Sequence, residues 1–299
     1  MNQPLCIEVS VVIPVFNRWQ ALSGCLESLF AQVNPPSYEV IVIDDGSDYK
    51  PPEKLIEQAR AHQVVWRRQE GLGVSEARNS GIRYSRGSII LFTDSDCVLD
   101  ADCLRAFQAT VSEQRSSDAF QLRICGRADD LVGKTEELRQ STIQHCLLLP
   151  DGKIRWLNTA GFAIRRNSLS SRGKLFDERA LRSQDTLLLA TLIEENNLPV
   201  FVPHAIVYHC PDLSVLQYIW KGMWSAYREG RTYSIIRAMG IKVRSSYSRR
   251  FFIFYMMWKK SSEKSIGRQA FLVALTRFFF GVVGSWLYQF RRMALIRKT

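Results

Sequence analysis

The chain has 299 residues, of which 46% are hydrophobic and 11% aromatic, a composition typical of globular proteins and not of disordered ones. The seven cysteines include no Cys-x-x-Cys pair, so neither a disulfide framework nor a zinc knuckle is indicated. The first eight residues show neither the basic segment nor the apolar run of a secretory signal. We therefore expect a cytoplasmic protein in a reducing compartment.

The net charge of +11 is unevenly distributed along the chain. Residues 215–299 hold 17 Lys and Arg against 2 Asp and Glu, a charge of +15, whereas residues 1–214 hold 23 against 27, a charge of −4. An acidic part suits small-molecule chemistry, and a basic part suits a polyanion, either anionic lipid or nucleic acid. We therefore predict two domains, residues 1–212 and a basic, aromatic-rich helical extension at residues 213–299.

The first hundred residues alternate between β-branched runs and helical patterns, which predicts a mostly parallel sheet with helices on its faces. Strands are expected at 9–15, 39–44, 64–67 and 88–93, and helices at 19–32, 53–61, 76–85 and 101–112. Residues 122–150 are expected to be irregular. Beyond them we expect a strand at 158–165, a helix at 185–196, and two short strands or one bent strand within 200–209.

Acidic residues follow two of the predicted strands. Asp94 and Asp96 come directly after a hydrophobic strand, and Asp44 and Asp45 end another. Ligands of open α/β sheets bind at the carboxyl edge of the strands, where two carboxylates could bind Mg²⁺ or Mn²⁺ and leave positions for phosphate oxygens. Either pair could instead form a solvated turn, so the prediction depends on their combination.

Four ordered motifs resemble those of the family 2 glycosyltransferases of the GT-A fold. They are VVIPVFNR at 11–18, VIDDGS at 42–47, EARNSGI at 76–82 and DSD at 94–96. A weaker block, with GFAIRR at 161–166, FDE at 176–178 and QD at 184–185, extends the resemblance to about residue 210. The resemblance implies a Rossmann-like, mixed, mostly parallel sheet flanked by helices in residues 1–212, with the basic helical extension outside it.

The resemblance also implies transfer of a sugar from a nucleotide diphosphate donor to an acceptor hydroxyl, with inversion. It makes Asp96 the principal ligand of Mn²⁺ or Mg²⁺, which neutralises the departing diphosphate, with Asp94 nearby. His209 resembles a histidine that approaches the metal in some GT-A enzymes, although a structural role is the alternative. The residues expected to bind the nucleotide sugar are Pro14, Phe16, Asn17, Asp45, Arg78, Asn79, Asp94 and Ser95.

By the same resemblance, Asp185 is the general base that takes the proton from the acceptor hydroxyl. The family usually carries two acidic residues where this chain has Gln184 and Asp185, so one carboxylate remains for the reaction. Asp185 could also serve only as an N-terminal helix cap, for which aspartate is well suited.

The extension contains an apolar stretch at 271–290 that is almost long enough to span a bilayer but carries Arg277 and Gln289. Its polar and small residues lie along one narrow helical face, which favours a helix lying at the membrane interface. The residues expected to meet lipid phosphates are Arg291, Arg292, Arg297 and Lys298. The many aromatic residues of the extension favour lipid, so no nucleic-acid partner is expected.

The sequence thus predicts a cytoplasmic glycosyltransferase, peripheral at the inner face of the cell membrane. Its donor would be a UDP-, GDP- or dTDP-sugar and its acceptor a sugar or a lipid-linked molecule, in assembly of a cell-surface polysaccharide or glycolipid. A sugar-1-phosphate nucleotidyltransferase is an alternative, but it usually has a glycine-rich basic loop where this chain has PVFNR at 14–18. A non-catalytic protein that binds a nucleotide and docks at a membrane is another.

Overall fold

The structure is a computed structural model that describes residues 7–127, 129–169, 174–180, 183–241, 247–263 and 267–296, with backbone only at 247–251, 263 and 292–296. The strands are β1 Val9–Val15, β2 Tyr38–Asp44, β3 Val65–Arg68, β4 Ile89–Phe92, β5 Cys97–Leu99, β6 Ala119–Gly126, β7 Phe162–Arg165 and β8 Val200–His209. The α-helices are α1 Trp19–Phe30, α2 Glu53–Ala61, α3 Val74–Tyr84, α4 Cys103–Glu113, α5 Leu131–Leu147, α6 Gln184–Glu194, α7 Val215–Ala238, α8 Tyr247–Glu263 and α9 Gly267–Ile296.

All eight strands form one sheet in the order β3-β2-β1-β4-β7-β6-β8-β5. The first four of these strands are parallel to one another, β7 is antiparallel to both of its neighbours, and β6 and β8 are parallel. The mixed, mostly parallel sheet predicted from the sequence is therefore confirmed. Residues 200–209 form a single strand that is irregular where it passes Leu122 and Arg123 of β6, which is the bent-strand alternative.

Strand β1 is buried along its whole length because helices cover both faces of the sheet. Its alternating side chains separate two hydrophobic clusters. Val11 and Ile13 pack with Leu22 of α1 and Phe107 of α4, whereas Val12 packs on the opposite face with Ala77 of α3. The central strand is thus held from both sides, which fixes the position of its carboxyl end.

The expectation that residues 122–150 are irregular is wrong. They contain the end of β6 and the 17-residue helix α5. Many of the residues that α5 buries are polar, among them Thr135, Glu136, Gln140 and Gln144, so the apolar stripe that announces a packed helix is missing. The side-chain amide of Gln144, for example, bonds to the backbone of Ile124 in β6. It accepts from Ile124 N at 3.0 Å and donates to Ile124 O at 2.7 Å, as a neighbouring strand would.

Helix α9 packs along α7 through small residues. A Cβ atom added at Gly284 would lie 2.1 Å from the Met223 carbonyl oxygen, and one at Gly230 would lie 2.3 Å from the Tyr288 ring. Helix α5 of the first predicted domain contacts both α8 and α9. The proposed division at residue 212 therefore separates two parts that are in extensive contact.

The close approach of α5 to the end of β6 gives a stability prediction. A Cβ atom at Gly126 would lie 2.2 Å from Glu137 N and 2.3 Å from Gly133 O, and backbone atoms cannot move aside as a flexible side chain can. Gly126→Ala should lower the free energy of unfolding by about 1–3 kcal/mol, measured by denaturant titration.

The matched control is Gly24→Ala in α1, where no described atom lies within 4 Å of the added Cβ. This change should raise stability by roughly 0.5–1 kcal/mol because alanine is the better helix former. Equal stability of Gly126→Ala and the wild type would contradict the packing described.

Candidate active site

Three chain segments meet at the carboxyl edge of the parallel strands. Asp45 N donates to Val15 O at 2.9 Å, so the turn after β2 lies against the end of β1. Thr93 N donates to Val12 O at 3.1 Å, which holds the residues after β4 beside the same strand. The structure thus brings together the turns after β1, β2 and β4, in which most of the predicted site residues lie.

Asp45 organises the loop that leads into α3. Its Oδ1 accepts from Gln69 Nε2 at 2.8 Å, Leu72 N at 2.9 Å and Gly73 N at 3.2 Å. Gly46 has a φ of 80°, and a Cβ there would lie 2.5 Å from Gly71 N, so glycine is required for the two loops to approach. Asp45, which is predicted to bind the nucleotide, therefore uses one carboxylate oxygen to hold the loop at residues 69–73 in place.

The turn after β1 places Phe16 at the surface, with 51% of the residue exposed, while Pro14 is buried within the strand. Asn17 has a φ of 56° and exchanges two hydrogen bonds with Asp48, at 2.6 and 2.8 Å. Asn17 N also donates to Ser47 Oγ at 2.9 Å. Asn17 thus shapes the turn, and Phe16 offers an aromatic face to solvent.

Each carboxylate of the DSD turn is paired with an arginine from another element. Arg78 Nη2 lies 2.6 Å from Asp94 Oδ1, and Arg18 Nη1 lies 3.1 Å from Asp96 Oδ2. The side chain of Arg78 is only 4% exposed, and its Nε and Nη1 have no hydrogen-bond partner among the described residues. Arg78 therefore places a buried positive charge directly beside Asp94.

His209 reaches this turn through strand pairing. It lies opposite Cys97 in the antiparallel β5–β8 pair, and its Nε2 lies 3.7 Å from Asp96 Oδ1, too far for a hydrogen bond. Two ligands of an octahedral cation with bonds of ~2.1 Å are separated by about 3 Å in adjacent and about 4 Å in opposite positions. The observed 3.7 Å lies between these two values, so the two atoms as placed match neither octahedral arrangement.

In the part of the chain that the structure describes, no three His, Cys, Asp or Glu side chains form a complete metal site. Ser95, between the two carboxylates, is 6% exposed. The thiol of Cys97, which follows the turn, has its pKa raised by burial and by Asp96 and Asp94, so it stays protonated.

Asp185 lies in the first turn of α6, two residues after Ser183, which precedes the helix. Its Oδ1 accepts from Thr186 N at 2.8 Å. Burial raises the pKa of this carboxyl, while the Thr186 hydrogen bond and the Arg78 charge lower it and Asp94 raises it; the net direction is upward. Asp185 thus accepts a backbone amide in the first turn of its own helix and lies within electrostatic range of Asp94 in the DSD turn.

Asn79 is engaged inside the protein. Its Nδ2 donates to Phe176 O at 2.9 Å and its Oδ1 accepts from Phe176 N at 3.1 Å, which fixes the FDE segment against α3. The guanidinium of Arg78 lies 5.5 Å from the centre of the Phe176 ring. The contact of Asn79 with a nucleotide sugar stays a prediction, and its clamp on Phe176 is a role that sequence reasoning missed.

Arg18 was also missed as the partner of Asp96. It ends the first motif, 78 residues before that carboxylate, and a pair so distant in sequence has no local signal. Its position just after a strand at the ligand-binding edge was the one available indication.

A family model described as Glycosyl transferase family 2 matches residues 10–173, more than half of the chain. The chain belongs to glycosyltransferase family 2. The matched range includes the motifs at the turns after β1, β2 and β4, and it ends before Asp185 and His209.

Curated relatives of this family 2 member match it over part of their length. Glycosyltransferase AglE of Haloferax volcanii is 36% identical over 107 residues, 35% of this chain and 35% of the relative. An uncharacterized glycosyltransferase of Haemophilus influenzae is 28% identical over 202 residues, 66% of this chain and 65% of the relative. A poly(ribitol-phosphate) beta-glucosyltransferase of Bacillus spizizenii is 32% identical over 114 residues, 37% and 18% of the two chains. The chain thus spans less than two thirds of each.

Solved structures share the fold. The mannosyltransferase PcManGT from Pyrobaculum calidifontis, in complex with GDP-Man and Mn²⁺, has a TM-score of 0.58 at 16% identity, covering 97% of this chain and 81% of its own. Residues 1–349 of S. aureus TarS, in complex with UDP-GlcNAc, have a TM-score of 0.56 at 16% identity. The match covers 96% of this chain and 92% of the TarS chain. The predicted GT-A fold is confirmed.

The raised pKa of Asp185 predicts a stability effect. When a carboxyl has a higher pKa in the folded than in the unfolded protein, the free energy of unfolding falls as the pH rises from the unfolded-state pKa to the folded-state pKa. Asp185→Asn removes this loss, so it should raise the Tm at pH 7. The gain over the wild type should disappear as the pH falls below the ordinary value of 3.8, measured by thermal unfolding across pH.

Asp177→Asn is the control of opposite sign, because a hydrogen bond from Arg179 holds the pKa of Asp177 below its usual value. That variant should be no more stable than the wild type at pH 7. A fall in Tm for Asp185→Asn at neutral pH would show that this carboxylate is stabilising in the folded protein.

Proposed function

We propose that this protein transfers a sugar from a nucleotide diphosphate donor to an acceptor hydroxyl, with inversion of the anomeric centre. The observation that carries the proposal is that Asp94 and Asp185 both lie within range of the buried guanidinium of Arg78, while Asp96, two residues after Asp94, lies beside His209. Family membership and the GT-A fold support the same reaction.

The charges of the site suit a departing diphosphate. Mn²⁺ or Mg²⁺ bound at this edge would neutralise the negative charge that develops on the leaving group. Asp96 and His209 would hold the cation, with Asp94 beside them. Arg78 places a buried positive charge beside Asp94, and Arg18, 40% exposed, can move from Asp96 towards the diphosphate.

Asp185 would act as the general base. Its raised pKa makes its ionised form a stronger base than an exposed aspartate, and the charge of Arg78 opposes part of this shift. Gln184 begins the same helix but cannot take up a proton, so Asp185 alone fills the role. Attack in line with the departing diphosphate then inverts the anomeric centre in one step.

Two observations support the proposed donor classes. They are the nucleotide sugars bound in the similar solved structures and the exposed position of Phe16. The solved neighbours are in complex with UDP-GlcNAc or with GDP-Man and Mn²⁺, which supports a UDP-, GDP- or dTDP-sugar here. Phe16 lies exposed next to Asp45 and its ordered loop and could stack on the base. The relative that acts on poly(ribitol-phosphate) supports a role in cell-surface polysaccharide or glycolipid assembly, with a sugar or a lipid-linked acceptor.

We expect at least one UDP-, GDP- or dTDP-sugar to raise the Tm in the presence of Mn²⁺ and much less in its absence, because a ligand of the folded state stabilises it. With that donor, Asp185→Asn should lower transfer or hydrolysis of the sugar by about 10²–10⁴-fold. The same variant should keep the Mn²⁺-dependent Tm increase. Nucleoside diphosphate release reports turnover.

Asp151→Asn, in a surface turn, is the matched control and should behave as the wild type. Unchanged turnover in Asp185→Asn would exclude it as the base. Stabilisation by nucleotide without any turnover in the wild type would favour the non-catalytic binding protein. Absence of stabilisation by all three donor classes would contradict the proposal.

The helical extension supports attachment to a membrane surface. In the described part of the chain, one helix, Gly267–Arg291, is long and apolar enough to cross a membrane, and only 22% of its most apolar window is buried. A core helix of a soluble protein would be mostly buried. Exposed side chains on α7 and α9 form what we call the aromatic surface: Leu216, Trp220, Trp224, Phe279, Phe280, Val283, Trp286, Leu287 and Phe290.

Several of the polar and small residues of α9, expected to form the polar face of a helix lying at the membrane interface, instead pack against α7. Arg277, Gly281 and Gly284 contact α7, so the apolar residues of α9 point outward. Trp220 and Phe280 meet edge to face, with ring centres 5.9 Å apart, which joins the exposed side chains of the two helices. Arg291 donates to Tyr227 Oη at 2.8 Å; Arg297 and Lys298, and the side chain of Arg292, lie outside the described residues.

An aromatic surface on an extension with a net charge of +15 over residues 215–299 fits the anionic inner face of the cell membrane. We expect the protein to float with vesicles that contain anionic lipid, less with neutral vesicles, and less at high salt because screening weakens the charge term. Replacing both Trp220 and Trp286 by serine should lower the partition coefficient by at least ~10-fold.

Leu72→Ser is the matched control, since Leu72 is 61% exposed but belongs to the nucleotide-side loop; flotation should be unchanged. Equal flotation of the double variant and the wild type would exclude the aromatic surface as the attachment site.

A further inference from the structure

A groove lies outside the candidate active site, where α5, α7, α8 and α9 meet. Its volume is about 430 Å³, within the range of small-molecule sites in proteins. Much of its wall is apolar and comes from three helices: Ile143, Phe254, Met257, Phe278 and Val282. On α9 the lining runs from Ala274 to Ser285, about 16 Å along the helix. An elongated and mainly apolar groove suits a hydrocarbon chain.

Exposed aromatic side chains flank this groove on both sides. The aromatic surface of α7 and α9 includes Phe279 and Val283, which are next in sequence to the lining residues Phe278 and Val282. Helix α8 exposes a second set, three residues apart and on one side of the helix: Phe252, Tyr255 and Trp258. The surface proposed to lie on a bilayer thus borders the groove, and a lipid would enter it directly from the membrane.

The charges along the groove give it two different ends. At one end Arg139 Nη1 donates to Tyr218 Oη at 3.2 Å, and the Arg277 guanidinium lies 4.1 Å from the centre of the Tyr218 ring. Glu136, which accepts from Arg139 at 2.8 Å, offsets one of these two cations. Glu229 lines the groove about three turns after Tyr218 on α7. A phosphate group is therefore favoured at the arginine end.

Helix α7 connects the two sides of the candidate active site. It begins six residues after His209. Near its other end, Ile236 packs with Leu187 of α6, the helix that carries Asp185 in its first turn. The part of α7 that lines the groove lies between these two points. A lipid bound in the groove would therefore lie along the helix that joins the His209 side of the site to the Asp185 side.

We propose that this groove binds the hydrocarbon chain of the acceptor, and that the acceptor is a lipid with a phosphate between its chain and its reactive hydroxyl. The inference deepens the proposed function and rests on it, because an acceptor has a role only in sugar transfer. The hydroxyl oxygen of this lipid bonds to the anomeric carbon, the bond from that carbon to the diphosphate breaks, and Asp185 takes the hydroxyl proton. The helical extension thereby selects the acceptor.

The first test measures binding of dodecyl phosphate, below its micelle concentration, to the full chain by isothermal titration calorimetry. Val282→Trp fills the groove from α9 and should raise the Kd at least ~10-fold, the effect of excluding about two methylene groups. Ser225→Leu fills it from α7 and should act in the same direction, so it decides if Val282→Trp fails to fold. Leu272→Trp, at a position of α9 that is 58% exposed, is the matched control and should leave the Kd unchanged.

Two further probes separate the chain from the phosphate. Inorganic phosphate lacks the chain, and dodecyl maltoside lacks the charge. Each should bind at least ~10-fold more weakly than dodecyl phosphate, because apolar burial and hydrogen bonds to a charged group both contribute to its affinity. Equal affinity for dodecyl maltoside and dodecyl phosphate would contradict the place assigned to the phosphate.

The second test follows labelled sugar from the donor that stabilises the protein into lipids extracted from membranes of its source cells. The wild type should produce a labelled, chloroform-soluble product, and dodecyl phosphate should compete with its formation. Val282→Trp and Ser225→Leu should lower this labelling at least ~10-fold, because the acceptor chain no longer fits. Leu272→Trp should label as the wild type does.

An unchanged dodecyl phosphate Kd in both groove variants would overturn this inference. Weaker binding with unchanged lipid labelling would show that the groove holds a lipid of the membrane and not the acceptor. Turnover of the donor by the wild type without any labelled lipid would overturn the inference and leave the proposed function standing. Absence of both donor binding and nucleoside diphosphate release in the wild type would overturn both.

Discussion

The pairing of clustered carboxylates with arginines from other elements is the interaction on which the structure of the catalytic edge depends. Asp44 is paired with Arg68 of β3, Asp94 with Arg78 of α3, and Asp96 with Arg18 of the turn after β1. Without these cations, several negative charges at one sheet edge would repel one another in a partly buried setting. The pairs hold the edge together before any ligand arrives.

The same pairs bear on the reaction proposed above. In that proposal, a cation bound to Asp96 would replace part of the compensation that Arg18 supplies, and a diphosphate would meet arginines as well as the metal. Arg78 differs from Arg18 because it is almost completely buried. It acts on Asp94 and Asp185 at once.

Sequence patterns predicted the first hundred residues well because their strands are continuous apolar runs and their turns carry distinctive residues. Gly46 illustrates this, since its positive φ and its contact with Gly71 require the residue that the motif contains. The pattern failed at α5, whose buried face is polar and whose partners lie far away in sequence. Glu136 meets Tyr218 across 82 residues, and nothing local to either one indicates that contact.

The site was predictable only in part for a related reason. The position of Asp94 and Asp96 follows from the strand that precedes them, but the approach of His209 depends on the antiparallel pairing of β5 with β8, and β5 is only three residues long. Asn79 carries a contact that its motif does not indicate. Its amide is matched to the backbone of Phe176, which lies 97 residues further along the chain.

The close packing of α9 on α7 determines how the molecule would sit on a bilayer. A 30-residue helix is about 45 Å long, and it contacts α7 and α5, of which α5 packs on β6 of the sheet. If α9 lies on a bilayer as proposed above, a tilt of this helix would be passed through those contacts to the sheet edge that carries the DSD turn. The proposed membrane attachment would therefore also orient that edge relative to the lipid surface.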